Sequence, residues 1–306
     1  MLKQYMENSM GSPTKDPMPV WLKVIGVIVL TVVVAFVTVK LVAKPQAQTT
    51  SAYDKILASG TIRACYSAYP PYFVKDANTG AFSGIFFDIV NKAAANLSLK
   101  VDWNAEVTRG EAIAAVNSGK CDIVGSGFWG NSARGRAAEL SIPVYYNPVD
   151  LYVRADDTRF DGDYKVVNDA KYTFAIVDGQ TSQAIAQTQF PNAKILALPD
   201  STSAAELMLS VADGKADMTS SDTATALLFM KNNPGKLKDV SKALPVVIYG
   251  NSVLMKKGEF ALTSAINAAI TELINNGYVD SVIKNYETKY PGDYYPVARP
   301  YIIPVK

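Results

Sequence analysis

The sequence predicts an α/β protein with two similar lobes, preceded by an N-terminal transmembrane helix. From Tyr53 onward, short strand-like segments alternate with amphipathic ones, an order typical of an α/β domain with a largely parallel sheet. The pattern recurs later in the chain, where SVADGKADMT aligns with the earlier segment AVNSGKCDIV. The spacing is too long for a solenoid repeat. It therefore predicts two lobes built on one plan, with a cleft outside the carboxyl ends of their strands.

An apolar run near the N-terminus predicts the membrane-spanning helix. Residues 24–39 contain no charge, and Lys23 and Lys40 bracket them. At about 1.5 Å per residue the run is about 24 Å long, and the flanking lysines can reach the two membrane interfaces. With Trp21 as an interfacial anchor, we expect residues 21–43 to cross the bilayer.

The same run could instead belong to a cleaved signal peptide. However, it is longer than the usual apolar region of such a peptide, and no clear A-x-A cleavage motif follows it. We therefore expect an uncleaved anchor. Residues 1–20 would then be cytoplasmic, residues 44–52 a flexible linker, and the remainder of the chain extracytoplasmic.

The composition argues against several classes of function. The formal net charge is +2 and the charges are mixed along the chain, which argues against a nucleic-acid partner. The chain has no histidine, which removes the usual metal ligand and any Ser-His or Cys-His pair. We expect no metal or other cofactor. Cys65 and Cys121 could form a disulfide, but no short-range spacing requires one, so we expect two buried free thiols.

Each half of the chain follows the order β-α-β-α-β. In the first half the predicted strands are TIRACY, KVDW and CDIVGSG, and the predicted helices are GIFFDIVNKAAANLS and GEAIAAVNSG. In the second half they are KYTFAIVDG, KILAL and KADMTS, with helices SQAIAQTQF and SAAELMLSVADG. Gly119 and Gly214 end a helix in each half. Ser203 and Glu206 have the spacing of a capping box.

Six segments in order carry a resemblance to a known family. They are YDKILASGTIRACYSAYPPYF, GAFSGIFFDIV, AVNSGKCDIVGSGFWGNSARGRAAELSIPVYY, FAIVDGQTSQ, GKADMTSSD, and VIYGNSVLMKKG with the helices after it. Over about residues 53–287 the chain resembles the extracellular solute-binding proteins of family 3, the polar-amino-acid receptors of ABC importers. Phe86 departs from the family pattern by replacing an aspartate, whereas Asp88 keeps the next one. The resemblance implies the type II periplasmic-binding-protein fold.

The resemblance also implies that the chain crosses between the lobes twice. Lobe 1 would comprise residues 53–149 and 247–290, and lobe 2 residues 150–246. The segments PVDLYVRAD and VVIYGNSVLM would be the hinge strands about which such lobes close. Residues 291–306 have no counterpart in the family pattern, and they would either pack on lobe 1 or dock a partner.

Two charged residues lead the predicted ligand site. The resemblance assigns the ligand carboxylate to Arg134, seven residues after Gly127, which belongs to the same predicted site. A guanidinium grips a carboxylate with two hydrogen bonds, whereas Arg136 is expected to be solvated. The resemblance assigns the ligand ammonium to Asp222, five residues after Asp217. Asp222 could also simply cap the helix that follows it.

Lobe 2 offers a helix end, and lobe 1 an aromatic ring. Gly179, Thr181 and Ser182 lie where a predicted strand meets a helix, and the free N–H groups there can bind an anion. An ordinary helix cap is the alternative. Tyr69 matches the family's aromatic residue that stacks on the ligand, although a turn tyrosine packed on a proline would give the same pattern.

Three residues depart from the family pattern. Trp129 and Asn131 stand where the family has threonines, and a tryptophan cannot accept a hydrogen bond, so Trp129 would wall the pocket instead. Arg109 stands where the family often has a second stacking aromatic residue. It could stack or pair with an acidic group of the ligand, or lie in water at a helix start. If it faces the cleft with Arg134, an anionic or dicarboxylic ligand is favoured.

The predicted function is that of a membrane-tethered, extracytoplasmic solute-binding protein rather than an enzyme. It would capture an amino acid or similar small carboxylate-bearing ligand between its lobes and deliver it to an ABC transporter permease. One alternative is a cyclohexadienyl-dehydratase-like enzyme on the same fold, which needs a general acid in the cleft. Another is a ligand-sensing module for a partner protein.

Overall fold

The computed structural model describes residues 19–42 and 51–299. The predicted cytoplasmic segment 1–20 and the predicted linker 44–52 lie mostly outside these ranges, and so do residues 300–306 of the predicted C-terminal extension 291–306. The chain divides into two compact units, Met1–Thr50 and Ser51–Lys306.

The first unit contains the predicted apolar helix, α1 (Val20–Val42). Its stretch Val20–Thr38 has a mean hydropathy of 2.7, and none of it is buried. The side chain of Thr31 satisfies its own hydroxyl by donating to the Val27 carbonyl at 2.8 Å. Length and composition therefore make α1 a candidate membrane span.

The second unit alternates helices and strands. The helices are α2 (Ala52–Ser59), α3 (Ile85–Asn96), α4 (Ala112–Ser118), α5 (Ser132–Ala137), α6 (Thr181–Gln189), α7 (Ala204–Ala212), α8 (Thr223–Asn232), α9 (Phe260–Asn275) and α10 (Tyr278–Lys289), with short 3-10 turns at Thr158–Phe160 and Tyr164–Val167. The strands are β1 (Thr61–Tyr66), β2 (Val74–Lys75), β3 (Phe82–Ser83), β4 (Lys100–Glu106), β5 (Ile123–Trp129), β6 (Glu139–Leu140), β7 (Tyr145–Arg154), β8 (Thr173–Val177), β9 (Lys194–Leu198), β10 (Met218–Asp222), β11 (Leu237–Asp239), β12 (Val247–Met255) and β13 (Tyr295–Pro296).

One sheet runs through both lobes in the order β4-β1-β5-β12-β7-β10-β8-β9. In lobe 1, β1 pairs in parallel with β4 and β5, and in lobe 2, β8 pairs in parallel with β9 and β10. The lobes meet where β12 and β7 pair antiparallel, from Val247 opposite Val149 to Asn251 opposite Tyr145. These are the two strands that the sequence predicts as hinges, and the α/β two-lobed architecture is confirmed.

The repeated segments give both lobes the same aspartate contact. In lobe 1, the Asp122 carboxylate accepts the Arg63 N–H at 2.9 Å, while the Asp122 N–H donates to the Arg63 carbonyl at 2.8 Å. In lobe 2, Asp217 makes the corresponding two bonds with Thr173, both at 2.8 Å. Each aspartate also pairs with an arginine at 2.6 Å: Asp122 with Arg63, and Asp217 with Arg159. Both aspartates therefore hold neighbouring strands together.

Separate hydrophobic cores underlie the two lobes. In lobe 1, α3 places Phe86 and Ile89 against β5, and α9 packs on the same cluster. In lobe 2, Phe174 of β8 and Leu151 of β7 pack with α6. A fully buried side chain of this size contributes about 1.5–3 kcal/mol. Each lobe thus has a hydrophobic core of its own, and the paired strands β7 and β12 join the two.

The prediction of free thiols is wrong. Cys65 and Cys121 form a disulfide, with Cα atoms 5.7 Å apart and a sequence separation of 56. The pairing follows from the sheet, because β1 lies beside β5 and brings Cys65 next to the turn that precedes β5. Local spacing carries no sign of a contact made by two strands so far apart in sequence.

The described part of the C-terminal extension, residues 291–299, packs on the rest of the second unit. Tyr295 pairs with Tyr146 of β7, so β13 adds to the hinge strand. Farther on, Arg299 donates to the Asp280 carboxylate of α10 at 2.6 Å. The extension also contacts lobe 2 at Gly292, which lies close to Ala224. A Cβ added at Gly292 would be only 2.6 Å from the Cβ of Ala224. Residues 291–299 thus pack on lobe 1, one of the two outcomes expected, and also contact lobe 2, while residues 300–306 lie outside the described residues.

Candidate ligand-binding cleft

Two cavities lie between the lobes. The outer one has a volume of about 560 Å³, and the inner one about 40 Å³. Tyr69 and Arg109 of lobe 1 and Gln180 and Ala204 of lobe 2 line both. The inner cavity is the narrow floor of the cleft, where side chains of both lobes meet.

Arg109 is held in a stack of aromatic rings. Its guanidinium carbon lies 4.8 Å from the centre of the Tyr69 ring and 4.2 Å from that of Phe128. Its Nη2 donates to the Gly127 carbonyl at 2.9 Å, and its buried Nη1 has no hydrogen-bond partner among the described residues. Burial lowers the pKa of Arg109, and the nearby Asp222 carboxylate acts in the opposite direction. The alternative of a solvated arginine at a helix start does not describe this residue.

Arg134 lies beneath the cleft floor rather than on it. It is 7% exposed and lines neither cavity. Its Nη1 donates to the Trp129 carbonyl at 2.8 Å, and its guanidinium carbon is 5.3 Å from the centre of the Phe128 ring. Burial, and then the positive charge of Arg109, lower the pKa of Arg134 to about 9. Neither guanidinium forms an ion pair with a carboxylate of residues 51–299.

Asp222 is fully buried and bonded from three directions. It caps α8 by accepting the Thr225 N–H at 3.0 Å, as one of the two interpretations of the sequence expected. It also accepts the hydroxyls of Tyr69, at 3.0 Å, and of Tyr72. Burial, and then the Asp222 charge, raise the pKa of Tyr72 well above its usual value. Asp222 therefore joins lobe 2 to the aromatic turn of lobe 1.

The start of α6 forms the lobe 2 side of the inner cavity. Thr181 is its first residue and lines the cavity, whereas the Ser182 hydroxyl is occupied by the Val177 N–H at 3.0 Å. The exposed N–H of Gly179 donates to the Gln183 side chain at 3.0 Å. Ser220 of β10 also lines the cavity. The residue is 5% exposed, and its buried hydroxyl has no hydrogen-bond partner in the described chain.

Trp129 lines the inner cavity and stacks on Tyr249 of hinge strand β12, with ring centres 5.5 Å apart. Asn131 does not reach the cavity. Its side chain caps α5 by accepting the Arg134 N–H at 2.9 Å. Arg136 is exposed, as expected. Trp129 is thus a wall of the cleft, and Asn131 positions the helix that carries Arg134.

A second contact joins the lobes at the outer cavity. The Asp200 carboxylate of lobe 2 accepts the Thr108 hydroxyl at 2.5 Å and the Gly110 N–H at 3.1 Å, both from the turn before α4. A Cβ at Gly110 would lie 2.6 Å from the Asp200 carboxylate. Only a residue without a side chain lets the carboxylate approach so closely. We call this contact the Asp200 latch.

The model of the bacterial extracellular solute-binding proteins, family 3, matches residues 61–289. The chain belongs to this family. Its fold is accordingly the type II periplasmic-binding-protein fold implied by the resemblance.

Individual relatives of this solute-binding protein differ in what they are named for. It is 29% identical to the virulence sensor protein BvgS of Bordetella bronchiseptica over 168 residues, 54% of this chain, and spans only 13% of that relative. It is 26% identical to the cyclohexadienyl dehydratase of Pseudomonas aeruginosa over 193 residues, 60% of this chain and 67% of the relative. The crystal structure of an ancestral amino acid-binding protein, a precursor of cyclohexadienyl dehydratase, superposes with a TM-score of 0.66 at 25% identity, covering 77% of this chain and 99% of that one.

Several residues of this solute-binding protein's cleft are absent from the sequence-based site. Tyr72 bonds Asp222, Ser220 faces the inner cavity, and Asp200 forms the latch. The YPPY turn contains both tyrosines, so Tyr72 had a signal of its own: a second hydroxyl three residues after Tyr69. Ser220 lies in the segment GKADMTSSD, where the resemblance singles out only Asp217 and Asp222, and Asp200 lies in a segment without a distinctive pattern. Only the packing of the lobes reveals these two residues.

Proposed function

We propose that this chain is a membrane-tethered, extracytoplasmic receptor that captures a small carboxylate-bearing solute between its lobes. The observation that carries the proposal is the inner cavity, where Arg109 Nη1 and the Ser220 hydroxyl are buried without partners in the described chain. Buried polar groups are rarely left unsatisfied. These two come from different lobes, so one small polar ligand between them would satisfy both and favour closure.

The ligand's position follows from the same groups. One carboxylate would lie against Arg109 and the free N–H groups at the start of α6, beside Thr181. Tyr69 and Trp129 would cover the apolar part of the ligand. Arg134, buried behind Phe128, would add positive potential rather than a direct bond. Lobe limits of 53–149 with 247–290, and 150–246, remain part of the proposal.

Two features support an extracytoplasmic location and a membrane tether. The candidate span α1 precedes the binding unit, and the binding unit carries the Cys65–Cys121 disulfide. Disulfides persist mainly in oxidising compartments. A receptor of this family in that location would deliver its solute to an ABC transporter permease.

A ligand screen on the full-length chain in detergent tests the proposal. A ligand at one hundred times its Kd stabilises a protein by about 2.7 kcal/mol, which for a domain of this size raises the Tm by about 5–10 °C. We expect at least one member of a panel of amino acids and small organic acids to do so. An Arg109→Gln variant should lose the shift, and an Arg136→Gln variant should keep it. A panel without any shift would refute the proposal.

A second candidate function is dehydration of a cyclohexadienyl acid. The similarity to the Pseudomonas aeruginosa dehydratase favours it, and carboxylates of Glu106, Glu111 and Asp200 line the outer cavity. Such chemistry needs a general acid within hydrogen-bond reach of the leaving hydroxyl. Incubation with prephenate and with arogenate, followed by absorbance of the aromatic product, tests it. Turnover abolished by substitution of one of these carboxylates would establish the enzyme.

A further inference from the structure

The charges around the inner cavity do not match a ligand that carries an ammonium group. Arg109 and Arg134 each place a guanidinium against the Phe128 ring. Neither of these two positive charges has a carboxylate partner among residues 51–299. Asp222 acts on Arg109 through space only, since no hydrogen bond joins them. The local excess of positive charge favours a ligand whose own net charge is negative.

Asp222 is already committed to the protein. It accepts three hydrogen bonds, from Thr225 N–H and from the hydroxyls of Tyr69 and Tyr72, out of about four that a carboxylate can accept. It is 0% exposed and lines neither cavity, whereas Tyr69 lines both. An ammonium in the cleft would meet the Tyr69 ring before it met this carboxylate.

The Tyr72 hydroxyl is held in place by a further chain of hydrogen bonds. Asn147 on hinge strand β7 donates to the Tyr72 hydroxyl at 3.0 Å, and Asn251 on β12 donates to the Asn147 side-chain oxygen at 2.5 Å. All of these groups are buried. A ligand ammonium that bonded to Asp222 would have to displace the Tyr69 and Tyr72 hydroxyls from that carboxylate. Because the Tyr72 hydroxyl also accepts from Asn147, this would disrupt the hydrogen-bond network as far as hinge strand β7.

Among the described residues, the inner cavity offers hydrogen-bond donors and no carboxylate. Arg109 lines it and its buried Nη1 can only donate, the first N–H groups of α6 can only donate, and the Ser220 hydroxyl can donate or accept. The carboxylates of Glu106, Glu111 and Asp200 line the outer cavity only, so an ammonium next to a carboxylate bound in the inner cavity would meet no carboxylate there. We infer that the ligand is an organic acid without an α-amino group, such as a dicarboxylate, anchored on Arg109. This inference rests on the proposed function and narrows its ligand class.

Matched pairs of acids test the inference on the full-length chain by titration calorimetry. Each pair shares a carbon skeleton and differs in the amino group: L-glutamate with glutarate, L-leucine with 4-methylpentanoate, and L-phenylalanine with 3-phenylpropionate. In any pair that binds, we expect the deaminated member to bind about tenfold tighter or more, since a buried ammonium without a carboxylate partner is costly. Tighter binding of the amino acid in every binding pair would overturn the inference while leaving the proposed function intact. Absence of binding by these acids and by the whole ligand panel would instead refute the proposed function.

Two variants separate the roles of the charges. Arg109→Gln should weaken binding of the deaminated acid about tenfold to a hundredfold, the loss expected for a hydrogen bond to a charged group. Arg136→Gln, at an exposed position, serves as its control. Arg109→Lys, which keeps the charge, should recover part of that loss. Asp222→Asn keeps a good helix cap and should raise the affinity for the deaminated acid, because it removes a negative charge near Arg109. If Asp222→Asn abolishes a wild-type preference for the amino acid, Asp222 holds an ammonium and the inference is wrong.

Discussion

The Asp200 latch yields the most direct prediction about closure. Asp200 belongs to lobe 2, and its two partners, Thr108 and Gly110, belong to the turn before α4 in lobe 1. The carboxylate therefore bonds across the cleft without lying in the inner cavity. Asp200→Ala should weaken ligand binding, even though the ligand would not touch the residue.

The magnitude follows from the two hydrogen bonds. Each contributes about 0.5–1.5 kcal/mol net, so the pair stabilises the closed arrangement by about 1–3 kcal/mol. A coupling of that size corresponds to a change in affinity of about 5- to 150-fold. Since the latch forms only when the lobes are together, most of the loss should appear as faster dissociation rather than slower association.

Stopped-flow and calorimetric titration with the ligand found by screening would measure the effect. The matched control is Asp178→Ala, which removes an exposed aspartate of the same lobe. Thermal unfolding without ligand should change little for either variant, because the latch joins the lobes and belongs to neither core. An Asp200→Ala affinity within twofold of the wild type would refute the reasoning.

Three further predictions concern stability. Replacing both Cys65 and Cys121 with alanine should lower the free energy of unfolding by about 2–4 kcal/mol, and equal urea midpoints with and without reductant in the wild type would contradict this. Burial, and then the charge of Asp239, raise the pKa of Asp150 from 3.8 to about 6. Folding therefore favours the protonated acid, and the free energy of unfolding should fall as the pH rises from about 4 to about 6. Asp150→Asn should flatten this pH dependence and raise the free energy of unfolding by about 1–2 kcal/mol at neutral pH. Urea unfolding at several pH values would measure both effects. Gly127→Ala should destabilise by about 1–3 kcal/mol, because Gly127 has φ +78° and an added Cβ would lie 2.4 Å from the Phe86 ring; an unchanged Tm would contradict this.

Local sequence signals predicted the elements well because their causes are local. The capping box of Ser203 and Glu206 forms at the start of α7, and Gly119 adopts the left-handed conformation at the end of α4. Each of these depends on residues within one helical turn. The disulfide between Cys65 and Cys121 depends instead on how β1 and β5 pair, and no local signal encodes that pairing.

The cleft was harder to predict for the same reason. Family resemblance placed Arg134 and Arg109 in one region, and the structure brings both to the Phe128 ring. The resemblance does not reveal which guanidinium lines the cavity, because that depends on how the two arginines pack around the Phe128 ring and between the lobes. Their assigned roles stay predictions until ligand binding is measured.

Through β13, the C-terminal extension adds a third strand beside the two hinge strands β7 and β12. Gly292 fits against Ala224 of lobe 2, β13 pairs with β7, and Arg299 returns to lobe 1. If the lobes close about β7 and β12, as the proposed function requires, the contact at Gly292 must slide or break as well. A label placed within residues 291–299, none of which lines either cavity, would then report that motion without competing with the ligand.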